Sequence, residues 1–364
     1  MASDTSGGTT TAQPDLPTGF DENKSESMLN RIQHVLHANP ILGPLAVLVV
    51  AIIAFAIVNG RFLSGANLGL VLQQVTVIAT IALGQTLIIL TAGIDLSAGA
   101  IAVFTSILMA NMAVKLGVPG IVAIIIGLIL GTAMGAINGL LVTRINLPPF
   151  IVTLATLSIY FSLNSVVSRS ETIRGSDMPS IMTATGNNAF RIGGFSLTWG
   201  TIIMLLLFAI FFYSLGSTSW GKHVYATGDD VEAARLAGIR TDRVLLSVYL
   251  VAGLIYAIGA WVLMGRLASA SPNVGTEYNL NSITAVVLGG TSIFGGVGSV
   301  HGTLLGVAAI AVLNNGLVHA RQPREMAGLL TGALLLAALS ASALPKLLAK
   351  FRAPRHSSAP PSSP

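Results

Sequence analysis

"TGDDVEAARLAGIRTDR" (residues 227–243) is a densely charged stretch between two apolar runs, 196–216 and 244–265. About 20 apolar residues suffice for a helix to cross a bilayer, and both runs meet that length. A polar segment bounded on both sides by such runs is a loop of a helical membrane protein. Its own pattern is that of a short helix. Asp229 is placed to cap the N-terminus, with Glu232 three residues on as the partner of a capping box. Both acids suit the positive end of the helix dipole. Gly238 is a natural stop, because glycine takes the left-handed conformation after a last turn. Ala233, Ala234 and Ala237 share one face of this two-turn helix at i, i+1 and i+4. Two readings follow: an ordinary capped loop helix, or a docking helix whose small-residue face lets a cytoplasmic partner approach closely.

The composition extends the membrane reading to the whole chain. Of 364 residues, 53% are hydrophobic and only 9% charged, with a mean hydropathy of +0.79. Soluble domains carry roughly 25% charged residues, so this chain cannot cover a globule with charge and is solvated by lipid. About ten apolar runs meet the length for crossing, over 42–59, 68–92, 95–115, 118–142, 148–168, 196–216, 244–265, 279–298, 301–319 and 325–345. The expected fold is all-α and polytopic, one membrane domain over 40–350. Residues 1–39, rich in Ser, Thr, Asp and Gly, lack the apolar core of a signal peptide and read as a disordered cytoplasmic tail; 351–364 read as a second disordered tail. With no cysteine, disulfide and thiol chemistry are excluded. The formal charge of +5 reflects Lys and Arg flanking membrane helices; no basic patch interleaved with aromatics points to nucleic acid. The Lys/Arg balance over loops and tails places both termini, and with them 227–243, in the cytoplasm.

Apart from Glu325 at the very start of the last run, Asp95 is the one acid within the apolar runs, set in "AGIDLSAGA" (92–100), a helix break. Asp there can cap the following helix, or serve a substrate or proton step, since intramembrane carboxylates are costly and often functional. The second choice would make the chain a proton-coupled secondary transporter; a scaffold or receptor is a third class. A similar glycine-rich break, 289–298, sits at a comparable place in the second half. Paired breaks in a transporter point to a midplane site and are compatible with duplicated half-domains. Gly127, Gly131, Gly135 and Gly139 form a close-packing stripe, a theme repeated by Gly302/Gly306 and Gly328/Gly332. Asn138, Asn164, Asn314 and Asn315 are amides near helix ends, fit for packing hydrogen bonds or pore lining. "GSTSWGKH" (216–223) falls short of a phosphate-binding loop: His223 replaces the magnesium-holding hydroxyl, and an apolar helix, not a strand, precedes it. No His/Cys/Glu spacing suggests a metal, and no Ser-His-Asp set suggests catalysis.

Several of these pieces resemble one family. Glu232-Ala233-Ala234, three residues, then Gly238 is similar to the E-A-A-x-x-x-G coupling-helix signature of ABC importer permeases. The run from Gly221 to Ile239 resembles the monosaccharide branch, which handles ribose, xylose, arabinose and galactose. "AGIDLSAGA", "NGLLVTRINLPPFIVTLAT" (138–156), "AVVLGGTSIFGGVGSVHGTLLG" (285–306) and "NNGL" (314–317) follow in the same order. The resemblance covers residues 40–345. It implies a non-enzymatic permease subunit in a bacterial cytoplasmic (inner) membrane, a second permease subunit forming a homodimer, a cytoplasmic ATPase that binds ATP and magnesium, a periplasmic or extracellular sugar-binding protein, and a monosaccharide cargo. No cofactor is implied in this chain. The coupling helix would be carried by Gly228, Asp229, Glu232, Ala233, Ala234, Arg235, Gly238 and Ile239. The translocation path or helix breaks would involve Asp95, Ser97, Asn138, Phe150, Gly289, Gly290 and Asn315. One departure stands out: the branch reads Tyr-Glu-Leu-Asp where this chain has Tyr278-Asn279-Leu280-Asn281, which touches any charge-dependent contact there, such as one with a binding protein.

Overall fold

The structure is a computed structural model that describes residues 42–323 and 325–352. The two expected tails lie outside these residues except for Phe351 and Arg352, the last two residues of the final helix. The described chain is helical: α1 (Leu42–Val58), α2 (Gly65–Leu90), α3 (Ala98–Val114), α4 (Gly120–Arg144), α5 (Pro149–Ser168), α6 (Ser180–Thr183), α7 (Trp199–Ser217), α8 (Ser219–Asp229), α9 (Val231–Leu236), α10 (Thr241–Leu267), α11 (Thr276–Leu288), α12 (Val300–His319) and α13 (Glu325–Arg352). Helices α2, α4, α5, α7, α10 and α12 are long and apolar enough to cross a membrane; α1, α3 and the first part of α13 are shorter apolar helices. The chain is therefore a multi-pass helical membrane protein. Exposed Ile53, Ile57, Ile129, Leu206 and Phe212 present an apolar exterior that water would not tolerate over so wide an area.

Local chemistry explains the boundaries. Ser64, Thr198 and Ser299 cap α2, α7 and α12 by accepting the N–H of Asn67, Thr201 and Gly302. Pro149 opens α5, where its missing N–H costs nothing. The expected span 279–298 is not one helix. It stops at Leu288, because Gly290, Gly295 and Gly296 hold left-handed φ angles of +86°, +84° and +69° that no helix admits. At 13 residues α11 is about 20 Å long, short of a bilayer core of about 30 Å. The all-α expectation also missed two small ladders. Strands β1 (Ile173–Arg174) and β4 (Ser269–Ala270) pair antiparallel, as do β2 (Asn188–Ile192) and β3 (Phe195–Thr198) across Gly193-Gly194, both at positive φ as a tight hairpin requires.

The glycine stripe of α4 packs as expected. A Cβ on Gly135 would stand 2.3 Å from the Tyr249 carbonyl oxygen, and one on Gly131 2.5 Å from the Ala257 Cβ, so α4 and α10 touch backbone to backbone. Gly302 and Gly306 bring α12 equally close to Gly289 and Ala285 of the α11 end. Gly328 and Gly332 do not continue the theme, since nothing lies within 4 Å of a Cβ at either. The loops sort onto two faces. On one, Lys115 pairs with Glu171, Gly175 abuts Ala268, Gly120 abuts Pro179, Gly65 abuts the β2–β3 turn, and Asn59 meets His319. On the other, the end of α2, the end of α8 and the loop after α11 meet.

Candidate functional site

Helix α9 and its approach make up the centre of the charged segment. The N-cap is Asp230, not Asp229: its Oδ1 accepts the N–H of Glu232 at 2.9 Å and of Ala233 at 3.0 Å. Asp229 is the last residue of α8. The reason is geometric, since Asp230 takes the extended backbone a cap needs while Asp229 is still helical. Glu232 thus falls one position short of closing a capping box, and it pairs instead with Arg235 at 3.2 Å. Arg235 also reaches Asp242 at 3.0 Å and donates to the Thr241 hydroxyl at 2.9 Å, tying α9 to the first turn of α10. These ion pairs are exposed and worth no more than about 1 kcal/mol each, so they orient rather than stabilise. Gly238 ends the helix as expected, at φ +85°.

The alanine face does not point outward as a unit. Ala234 is 4% exposed and packed inside the chain, while Ala233 and Ala237 are exposed. Leu236 stands 90% exposed at the tip, with Glu232 and the two alanines around it. The exposed residues of this helix and its end are therefore Glu232, Ala233, Arg235, Leu236 and Ala237, while Ala234, expected on a docking face, packs inside the chain. Ile239 is half-buried against the core. The 216–223 stretch is the end of α7 and the start of α8, with Gly221 pressed on the Leu215 carbonyl, so no phosphate-binding loop exists there.

The first break, between α2 and α3, holds a buried polar network. Asp95 is 1% exposed, and its Oδ1 accepts the Ser97 N–H at 2.7 Å and the Ser97 hydroxyl at 2.6 Å. Asn138 donates to that same Ser97 oxygen at 2.8 Å, and Gln85 donates to the Asp95 backbone carbonyl. Asp95 thus does not cap α3 itself. The N–H of Gly99, in the first turn of α3, goes to Asn279 Oδ1 across the molecule. Asn279 is 7% exposed, so its side chain joins α11 to α3 and is not available to an outside protein.

Of the candidate path residues, Asp95, Ser97 and Asn138 come together in this network, and Gly289 and Gly290 form the second break. Asn315 lies elsewhere: its Oδ1 accepts from Asn67, whose own Oδ1 meets His319 at 2.9 Å, in a network that also includes Asn59. Phe150 is half exposed on α5 and joins none of them.

The two breaks and α8 meet at one point. The Gly296 N–H donates to the Leu90 carbonyl at 3.0 Å. A Cβ on Gly228 would stand 1.7 Å from that same carbonyl oxygen and 2.8 Å from the Gly296 nitrogen. A Cβ on Gly295 would stand 2.4 Å from the Gly228 carbonyl oxygen. Tyr225, whose phenol is pushed above its usual pKa by burial and stays a neutral donor, bonds the Gly298 carbonyl at 2.9 Å. Three backbones are thus in direct contact at Gly228, three residues before α9 begins. Sequence reasoning marked Gly228 and both breaks but not their meeting; the signal was that each carries glycine where its neighbours do not need one.

The profile of the family described as the permease component of the branched-chain amino acid transport system matches residues 67–339. The chain is 44% identical over 319 residues to the fructose import permease of Rhizobium meliloti, covering 86% of this chain and 88% of that protein. It is 43% identical over 277 residues to the ribose import permease of Bacillus subtilis (strain 168), covering 76% and 84%. It is 30% identical over 341 residues to the galactose/methyl galactoside import permease of Haemophilus influenzae, covering 90% and 98%. No solved structure matches.

Proposed function

Because the chain belongs to this family of transport permeases, we propose that it is the membrane subunit of a monosaccharide importer, driven by ATP hydrolysed on a separate subunit that docks on α9. The observation that carries the reading is α9 itself: a capped helix, with Leu236 90% exposed at its tip, in backbone continuity with a junction of both helix breaks. An exposed leucine flanked by small residues suits a hydrophobic cleft on a partner. The import permeases named above, for fructose, ribose and galactose, support a monosaccharide as cargo. ATP and magnesium belong to the docked subunit, and a sugar-binding protein delivers cargo at the opposite face. Two copies of this chain form the channel in the lipid of a bacterial cytoplasmic membrane.

The α9 face is cytoplasmic on this reading, which puts both termini inside. The orientation rests on the docking role. Arg144, Lys222, Arg235, Arg240 and Arg243 mark the α9 face, but Arg61, Lys115, Arg169, Arg174, Arg191, Arg266 and Arg321 mark the other, so the described loops alone carry no basic excess on the α9 side. Asp95 Oδ1 is held by Ser97, a positioning role that the importer reading accommodates. The test is Leu236→Glu, a change at a position with almost no internal contacts. The permease should insert normally and lose its ATPase subunit on purification in detergent. Retention of the ATPase at the wild-type ratio would refute docking through α9.

A further inference from the structure

A cavity of about 530 Å³ opens on the face opposite α9, between α2, the end of α10, α11, α12 and α13. Its volume lies within the range of about 300–1,000 Å³ usual for small-molecule sites. Its polar lining is drawn from separate elements and includes Gln74 of α2, Arg266 of α10, Asn314 of α12, and Glu277, Asn281 and Thr284 of α11. The last three recur at i, i+4 and i+7, one face of a helix. None of the side chains of Gln74, Glu277, Asn281 or Asn314 has a hydrogen-bond or ion-pair partner among the described residues. Thr284, 1% exposed at the inner end, leaves its hydroxyl without a partner as well.

Such groups cannot face hydrocarbon. Each unsatisfied one costs several kcal/mol there, and side chains of this kind in membrane helices line water-filled cavities. The cavity therefore holds water and whatever solute passes through it. Arg266 and Glu277 are its charged groups, they are not ion-paired to each other, and they cancel. The remainder, with Tyr278, Gln322 and Thr331 added, are amides and hydroxyls, each able to donate or accept. That inventory fits a neutral solute bearing many hydroxyls.

We propose that this cavity is the entry site for the sugar, with Asn281 and Thr284 hydrogen-bonding its hydroxyls on the way inward. The proposal rests on the reading of the chain as a monosaccharide importer. It also gives α11 a definite place. The outer half of α11 lines the sugar, its inner end is held by Gly302 and Gly306, and the loop beyond reaches Gly228 at the foot of α9. Movement at the ATPase side is thereby conveyed to the sugar site through one short helix.

The absence of cysteine makes a direct test available. Asn281→Cys and, as a lipid-facing control on α7, Leu206→Cys are made singly in the complete importer, with its ATPase and binding protein, in proteoliposomes. A charged, water-borne thiol reagent is applied with and without D-fructose, D-ribose, D-galactose or L-leucine. Asn281→Cys is expected to react and Leu206→Cys to stay unmodified. The sugar that the wild type takes up should protect Asn281→Cys, and leucine should not. In uptake, Asn281→Leu should raise the half-saturating sugar concentration about tenfold, the effect of one lost hydrogen bond. If Asn281→Leu fails to insert, Thr284→Val, which keeps the side-chain shape, carries the same measurement. Normal wild-type sugar uptake with an unreactive or unprotected Asn281→Cys overturns the site and leaves the importer reading intact. Wild-type uptake of leucine but none of the sugars overturns the importer reading, and the site with it.

Discussion

Gly228→Ala is the sharpest perturbation of the proposed coupling route. A Cβ at 228 would lie 1.7 Å from the Leu90 carbonyl oxygen, whereas real Cβ contacts essentially never fall under 3.0 Å, so the two backbones must separate by at least 3.0 − 1.7 = 1.3 Å. The Leu90 carbonyl cannot yield by that much and keep the Gly296 N–H, now 3.0 Å away. Overpacking of this kind costs about 1–3 kcal/mol, and the lost buried hydrogen bond about as much again. The methyl group touches nothing on the exposed surface of α9, so docking should survive. The assay measures sugar uptake and ATP hydrolysis together in the reconstituted importer, each normalised to inserted permease. The ATPase should co-purify at its normal ratio while sugar moved per ATP falls by about tenfold or more, the equivalent of 1.4 kcal/mol. A well-inserted Gly228→Ala protein with wild-type sugar moved per ATP would refute transmission through this junction.

Ala234→Trp tests the corrected role of that residue: because Ala234 is 4% exposed, the bulky ring should lower the amount of inserted, stable permease, measured by thermal unfolding in detergent, rather than only detach the ATPase. Asp95→Asn keeps an oxygen for both Ser97 donors and should leave uptake within about twofold of wild type, while Asp95→Leu strands the Ser97 N–H at about 1–3 kcal/mol and should lower the level of folded protein. Loss of uptake in a well-folded Asp95→Asn protein would restore a charge-dependent step at this position. Asn279→Leu removes the acceptor for the Gly99 N–H and should destabilise by about 1 kcal/mol, with Asn279→Asp close to neutral; equal unfolding temperatures for Asn279→Leu and wild type would contradict the cross-molecule cap.

Apolar length located the helices well, because a spanning helix must satisfy its backbone internally and be greasy throughout. The same criterion misjudged 279–298, where apolar residues continue past Leu288 but glycines at positive φ end the helix. The hairpin at 188–198 was visible in principle in its Gly-Gly pair, yet its short strands carry no periodicity strong enough to compete with an apolar run. At α9 the type, the stop and the exposure of the segment were legible. The cap was misplaced by one residue, because Asp229 and Asp230 are equally good caps by residue type and only the backbone distinguishes them. Ala234 was misassigned because spacing tells which residues share a face, not which face is covered. The partnership of Asn279 with Gly99 spans 180 residues and leaves no local trace.

The meeting of Gly228, Leu90 and Gly296 is made by main-chain atoms, whereas the tip of α9 is made by side chains. On the proposed docking role, recognition of the motor and response to it are encoded in different parts of the chain. Substitutions at Glu232, Ala233, Leu236 or Ala237 can change which ATPase is accepted without altering how its stroke is received. A lineage could exchange its motor subunit by surface drift alone, and a hybrid importer assembled with a foreign ATPase should need re-engineering only at those four positions.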